Sequence, residues 1–176
     1  MKTYVITLSK RFPVGHERAG KSTMFKDKFL LGISCPDCST EQDLSGKNIS
    51  LCNSCQRACM QSKIHTIRAN YPLWEKRIAE VERGDACLSI RQWTGKPYRS
   101  KQEEIASLTA SDGIGIQMLS FAPLYTLAAP FVNGRRIATN TLASNDGLRD
   151  ADWREWFMHY DLTQPMAIIH FTKFRY

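Results

Sequence analysis

The fold of this 176-residue chain is best approached from one stretch, Lys63-Ile64-His65-Thr66-Ile67-Arg68. Polar and apolar residues alternate here with the period of two that is typical of a β-strand. Strict alternation would place Thr66 and Arg68 on the face opposite Lys63, whereas a bend at the entry to the strand would bring all three to one pocket. Their hydroxyl, guanidinium and ammonium groups would then offer hydrogen-bond donors to an anionic or carbonyl-bearing ligand. The alternative is an edge strand with solvated charges.

Segments on both sides of this stretch predict a mixed α+β fold. Strands are predicted at residues 3–8, 86–93, 105–108, 114–121 and 166–172, and helices near 22–31, over 73–81 and from Asp150. Asn133-Gly134 predicts a hairpin with a type I′ turn. Many short strands with few helices indicate a partly closed β-barrel with flanking helices, in one domain covering residues 1–176.

Two CxxC pairs, Cys35/Cys38 and Cys52/Cys55, are separated by 13 residues. This spacing predicts a tetrahedral zinc site, and four thiolates leave no open position for water, so the metal would be structural. The composition changes abruptly around the pairs, which indicates an insertion over residues 32–60. The alternatives are two unrelated turns or a disulfide loop, and Cys59 is either a reserve ligand or a helical cysteine.

Composition sets the broad class of the protein. The hydrophobic fraction of 43% and the charged fraction of 23% are those of a soluble globular domain. No apolar run approaches the roughly 20 residues that span a bilayer, so we expect no membrane partner. The first residues alternate as a strand does and are too short in apolar length for a signal peptide, which favours a cytoplasmic protein with reduced cysteines.

The net charge of +7 is unevenly distributed. Residues 1–28 contain seven basic and two acidic side chains. A second basic cluster is interleaved with aromatic residues, a combination that suits a phosphate backbone with exposed bases. The alternative is a solvated basic surface. The side chains expected to form a basic-aromatic rim are Arg91, Trp93, Tyr98, Arg99 and Lys101.

Two histidines lie in predicted strands. His65 is inside the motif stretch, where we expect a packed or solvent-facing strand histidine rather than a catalytic acid–base group. His170 lies in the apolar run 166–172 and is expected to satisfy a hydrogen bond in the core.

The pattern Lys63-x-x-Thr66-x-Arg68 resembles the K-x-x-T-x-R motif of ASCH domains, which share the PUA-like β-barrel fold. Gly84-Asp85 with the strand after it, the segment 145–148 and the closing strand 168–171 resemble further parts of that family. The run 93–102 is similar to a subgroup found in phages and mobile elements of bacteria. The resemblance covers about residues 1–31 and 61–176 and leaves the cysteine insertion outside it.

The resemblance implies two kinds of function. PUA-like domains bind RNA or modified nucleic acid, so Lys63, Thr66 and Arg68 would line a pocket for RNA or a nucleotide-like small molecule. Some small ASCH members look like amidohydrolases that deacylate an N4-acylated cytidine with the motif lysine, the motif threonine and a downstream glutamate. Here Lys63 would act on the carbonyl or the nucleophile, and Thr66 would be the nucleophile or would orient it.

The expected downstream carboxylate is the point at which this chain departs from the enzymes. Residues 113–145 contain no aspartate or glutamate, so Asp146 is the first candidate for the general base. We therefore expect binding of RNA or a modified nucleotide. The alternatives are an amidohydrolase and a protein-interaction module presented by the zinc knuckles.

Overall fold

The computed structural model describes residues 1–34 and 62–176, which form an α+β fold of two sheets and four helices. In chain order the elements are β1 (Lys2–Thr7), α1 (Phe25–Ser34), β2 (His65–Arg68), α2 (Tyr71–Glu82), β3 (Ala86–Trp93), β4 (Gln102–Leu108), β5 (Gly115–Ser120), β6 (Phe131–Val132), β7 (Arg135–Arg136), α3 (Thr139–Asn145), α4 (Asp150–Phe157) and β8 (Met166–His170).

The first sheet has three strands in the order β1-β3-β4. β1 runs parallel to β3, and β4 is antiparallel to β3 with a bulge between Ile90 and Arg91. Leu88 and Ile90 are fully buried in the core, and they alternate with Ser89 and Arg91 on the other face of β3. Ser89 is buried too, so β3 is covered on both faces as far as Ile90, and Arg91 is its first partly exposed residue.

The second sheet is antiparallel throughout, in the order β2-β8-β5-β6-β7. Every residue of β8 is buried, as its apolar sequence requires. Asn133 and Gly134 both have positive φ, 47° and 81°, which confirms the predicted hairpin turn. Among the described residues β2 pairs only with β8, so the motif strand lies at an edge of this sheet.

Helix α2 joins the two sheets through one apolar stripe. Trp74, Ile78 and Val81 are buried at helical spacing, as predicted, and the helix contacts β3 of one sheet and β5 and β8 of the other. The side chain of Asn70 caps the helix by accepting a hydrogen bond from the amide of Leu73 at 3.2 Å. Helix α2 therefore contributes to the core by packing against strands of both sheets.

The α+β class is confirmed, but within the described ranges the two sheets do not close into a barrel. Helix α1 continues to Ser34 and so extends into the range expected to form the insertion. No helix in the described part of the chain is long and apolar enough to cross a membrane.

Candidate functional site

Lys63 lies where helix α1 packs against the entry to β2. Its amide donates a hydrogen bond of 2.9 Å to the carbonyl oxygen of Lys28 in the helix. Gly32, one turn further along, approaches so closely that a Cβ atom there would lie 3.0 Å from the Lys63 carbonyl oxygen. The regular strand begins only at His65, and Lys63 instead forms an isolated bridge with Asp146. Lys63 therefore precedes the regular strand, so the alternation of β2 does not fix the direction of its side chain.

Lys63 and Asp146 form a buried ion pair. The ammonium of Lys63 donates to the carboxylate of Asp146 and, at 2.8 Å, to its backbone oxygen. Only 1% of the Lys63 side chain and 6% of the Asp146 side chain are exposed. The ammonium also lies 4.3 Å from the centre of the Phe25 ring, within the range of a cation–π contact. The carboxylate that the sequence offered as a candidate base therefore contacts the motif lysine.

Gly147, the residue after Asp146, packs closely against two lysines. Its φ of 76° is in the left-handed region, and a Cβ atom would lie 3.1 Å from the Cβ of Lys63 and 3.3 Å from the Cδ of Lys28. The ammonium of Lys28 donates to the Gly147 carbonyl oxygen at 2.6 Å. The sequence reasoning missed Lys28. Its signal was the i, i+4 spacing with Gly32, which puts both residues on the helix face that packs against Lys63.

Arg68 and Thr66 complete the motif. Arg68 is partly exposed, and its Nη2 donates a hydrogen bond of 2.8 Å to the carbonyl oxygen of Thr7. A guanidinium has five N–H donors, so most of its capacity remains for a ligand. Thr66 is buried, and its hydroxyl makes no hydrogen bond to another described residue.

The structure brings Lys63, Thr66, Arg68 and Asp146 together in one cavity of about 30 Å³, which is room for about two water molecules. The remaining walls are formed by Leu8, Ser9, Phe25, Ile67, Leu148, Trp156, Phe157 and Tyr160. The motif side chains therefore do converge, as a bend at the strand entry would require. We call this cavity the motif pocket.

The motif pocket carries more positive than negative charge. Burial lowers the pKa of Lys63 and raises the pKa of Asp146, while the attraction between the two opposes both shifts. Burial and the nearby charge of Lys63 lower the pKa of Lys28 to about 8, and burial also lowers the pKa of Arg68. Two cationic side chains thus line the pocket with a single carboxylate, a balance that favours a bound anion.

A buried polar cluster lies behind the motif strand. The hydroxyl of Tyr176 is 2.8 Å from Nε2 of His65, and it accepts a hydrogen bond of 2.9 Å from the side-chain Nδ2 of Asn145. It thereby links the segment that carries Lys63 to the helix end that precedes Asp146. The prediction that His170 makes a hydrogen bond in the core is wrong, because neither of its ring nitrogens has a partner in the described part of the chain.

The predicted basic-aromatic rim lies beside the motif pocket rather than in it. Arg91 is partly exposed near the end of β3. Its Nε donates a hydrogen bond of 2.8 Å to the hydroxyl of Ser89, and its carbonyl oxygen accepts one of 2.8 Å from the amide of Leu8. The rings of Trp93 and Tyr98 lie 5.4 Å apart. The remaining members, Arg99 and Lys101, are exposed in the loop that follows. None of the five rim residues lines the pocket, although Leu8 belongs to its wall.

The predicted zinc ligands Cys35, Cys38, Cys52 and Cys55, and the leftover Cys59, lie outside the described residues, so the zinc site stays a prediction. In the described ranges no group of three or more histidine, cysteine, aspartate or glutamate side chains is placed to hold a metal ion. Cys87 is a buried free cysteine of β3.

Comparisons with models of protein families, with curated proteins and with solved structures found no match. Function is therefore inferred from the geometry and charge of the motif pocket and its surroundings.

Proposed function

We propose that the protein binds RNA or a nucleotide, with a phosphate or carbonyl oxygen of the ligand held in the motif pocket. The observation that carries this proposal is the charge balance of the pocket wall, where Lys63 and Arg68 accompany the single carboxylate of Asp146. A third cation, Lys28, contacts the adjacent Gly147. A cation that loses water on burial is stabilised by an opposite charge, and Asp146 is the one carboxylate among the described residues that line the pocket. An anionic ligand would supply the rest.

The size of the motif pocket limits which part of the ligand enters. Its volume of about 30 Å³ suits one or two oxygen atoms, whereas a nucleobase is several times larger. A guanidinium binds phosphate oxygens in a planar two-pronged geometry, and Arg68 is the partly exposed donor at this site. We therefore expect the oxygen-bearing group of the ligand to lie inside the motif pocket and the base of the ligand to lie outside it.

Substitution of Arg68 tests this proposal. Arg68→Ala should weaken binding of a labelled RNA oligonucleotide by about 1–3 kcal/mol, measured by fluorescence anisotropy at several salt concentrations. Arg83→Ala removes the same charge at an exposed position, where Arg83 contacts only Asp85 among the described side chains, and should leave the affinity unchanged. Equal affinity of Arg68→Ala and wild type, or binding that does not depend on salt, would contradict the proposal.

Hydrolysis of an acylated nucleoside is the second candidate, and the contact between Lys63 and Asp146 beside Thr66 favours it. The Thr66 oxygen would attack the amide carbonyl, and its proton would pass to Asp146 or to a neutral Lys63 amine. The carbonyl C–N4 bond would break as this proton moves to the leaving nitrogen of cytidine, and water would then hydrolyse the Thr66 ester to acetate. The lowered pKa of Lys63 is the property that such a base needs. Incubation with N4-acetylcytidine should then release cytidine and acetate, and Thr66→Val should abolish the release. Absence of turnover by the wild type excludes this candidate.

The resemblance to ASCH domains supports both candidates, because the motif residues that carry it meet in one pocket. A PUA-like fold, a phage-type origin and a zinc-stapled insertion belong to the same proposal. Metal analysis tests the zinc: Cys35→Ser should lower the zinc content, whereas Cys87→Ser, in β3, should not. A module in which the zinc knuckles bind another protein would show partner binding that is lost with the metal.

A further inference from the structure

The loop between β3 and β4 presents an aromatic ring to solvent in an unusual conformation. Tyr98, near its tip, is 90% exposed and has a φ of 61°, in the left-handed region that residues other than glycine rarely adopt. This conformation costs free energy, and the ring recovers little of it by burial, because it lies outside the core. Backbone strain occurs at binding sites, so the conformation makes Tyr98 a candidate for a role outside the core.

The loop is nevertheless well held. Thr94 donates its amide to the carbonyl oxygen of Lys101 at 2.9 Å, and Ser100 accepts from the amide of Gly95 at 2.9 Å while donating to the Lys96 carbonyl oxygen at the same distance. Such internal hydrogen bonds hold the loop backbone that carries Tyr98, and its ring lies beside that of Trp93, 5.4 Å away. A preorganised ring loses less conformational entropy on binding than a mobile one.

The cations of the loop have no acidic partners among the described residues. Lys96, Arg99 and Lys101 are exposed and take part in none of the ion pairs found there. The two glutamates at the start of β4 are already occupied, Glu103 by Lys26 at 2.8 Å and Glu104 by Arg91 and Ser89. The loop therefore carries a local positive charge around the Tyr98 ring.

Two side-chain hydrogen bonds connect this loop to the segment that borders the motif pocket. Ser9 lines the pocket, and the next residue, Lys10, donates its ammonium to the carbonyl oxygen of Thr94 at 3.2 Å, at the start of the loop. Gln102, at the end of the loop, donates to the hydroxyl of Thr7 at 3.3 Å. Both ends of the loop are thus attached to the segment that runs along the motif pocket.

We propose that residues 93–101 form a stacking platform for an unpaired base, so that the ligand of the motif pocket is single-stranded nucleic acid rather than a free nucleotide. An exposed aromatic face beside lysine and arginine side chains is the arrangement that holds single strands, with the ring under a base and the cations along the phosphates. Bases within a duplex are already stacked and offer no face to Tyr98. This inference rests on the proposed function, because the base that stacks on Tyr98 belongs to the same ligand whose oxygen-bearing group is held in the motif pocket.

Fluorescence anisotropy with a labelled single-stranded oligonucleotide, as RNA and as DNA, tests the platform. Tyr98→Ala should lower the affinity roughly 5- to 150-fold, whereas Tyr98→Phe, which keeps the ring, should retain it. Tyr125→Ala is the matched control, since Tyr125 is also exposed and has a positive φ of 47° but lies in another loop. Binding of cytidine monophosphate, measured by calorimetry, should be unaffected by Tyr98→Ala.

The outcomes separate the platform from the pocket. If Tyr98→Ala binds the single strand as the wild type does while Arg68→Ala does not, the platform is wrong and the pocket stands. If Arg68→Ala leaves oligonucleotide and mononucleotide binding unchanged, the pocket proposal itself fails. Tighter binding of a duplex than of the single strand overturns the platform. Tyr98-dependent binding to vesicles containing phosphatidylserine, without binding to the oligonucleotides, would assign the loop to a membrane surface instead.

Discussion

Acidification should lower the free energy of unfolding of this protein already at pH values above those at which carboxylates titrate. His170 is fully buried in β8, faces His65 across the strand pair, and has no hydrogen-bond partner for either ring nitrogen in the described part of the chain. Burial lowers the pKa of His170 from about 6.5 to about 3 and lowers the pKa of His65 as well. Each ring is therefore neutral in the folded protein and takes up a proton on unfolding in mildly acidic solution.

The sign and size of the effect follow from these values. Between pH 6.5 and pH 3 the unfolded state binds more protons than the folded state, so the free energy of unfolding falls as the pH falls. For His170 alone the loss between pH 7 and pH 5 is about 2 kcal/mol, and His65 adds to it in the same direction. A change of this size is a large part of the stability of a typical domain, which is about 5–15 kcal/mol.

Urea denaturation at pH 7 and pH 5 measures this loss. His170→Leu should reduce the pH dependence by about 2 kcal/mol without destabilising the protein at pH 7, since it replaces an unpartnered polar ring with an apolar side chain. His159→Leu makes the same change at an exposed position and should leave the pH dependence as it is in the wild type. The reasoning is refuted if the wild type is equally stable at both pH values, or if His170→Leu keeps the full dependence.

Three further predictions concern the site and the platform. Asp146→Asn should lower the free energy of unfolding by about 3–5 kcal/mol, because it leaves a buried ammonium without its counter-ion, whereas Glu103→Gln at an exposed pair should have no measurable effect in the same urea titration. Gly147→Ala should cost about 1–3 kcal/mol, and more than Gly134→Ala, because both glycines have positive φ but only Gly147 is in close contact with other residues. Tyr98→Gly should leave stability equal or up to about 1 kcal/mol higher, since it relieves the strained φ, while oligonucleotide affinity measured by anisotropy falls.

Local sequence patterns predicted the elements whose boundaries are themselves local. The strand Ala86–Trp93 was predicted residue for residue, because its apolar run lies between Gly84-Asp85 and the turn residues after Trp93. Strand β4, in contrast, begins at Gln102, three residues before the expected start. Its first residues are charged and look like loop, but they pair with the end of β3, with Gln102 opposite Trp93 and Glu103 opposite Gln92. A pairing partner on another strand leaves no trace in the periodicity of the segment.

The site was predictable in its residues but not in its geometry. The motif spacing identified Lys63, Thr66 and Arg68, yet alternation alone left two arrangements open. Lys63 lies outside the regular strand, where Gly32 packs against its backbone from 31 positions away in the chain. The contact with Asp146 spans a separation of 83 residues. Long-range packing of this kind depends on the whole fold, so the sequence could supply candidates but could not decide among them.

Residues that hold the fold together and residues that can report on function differ in this protein. Lys63 is the most prominent member of the motif, but it joins α1, β2 and the turn at Asp146 while almost fully buried. Its removal would lower binding and stability together, so a loss of activity in Lys63→Ala would not distinguish a binding role from a structural one. Arg68 is partly exposed and Tyr98 is almost fully exposed, and neither fills the core. The two hypotheses about the ligand are therefore decided at Arg68 and Tyr98, where affinity can change while the fold is retained.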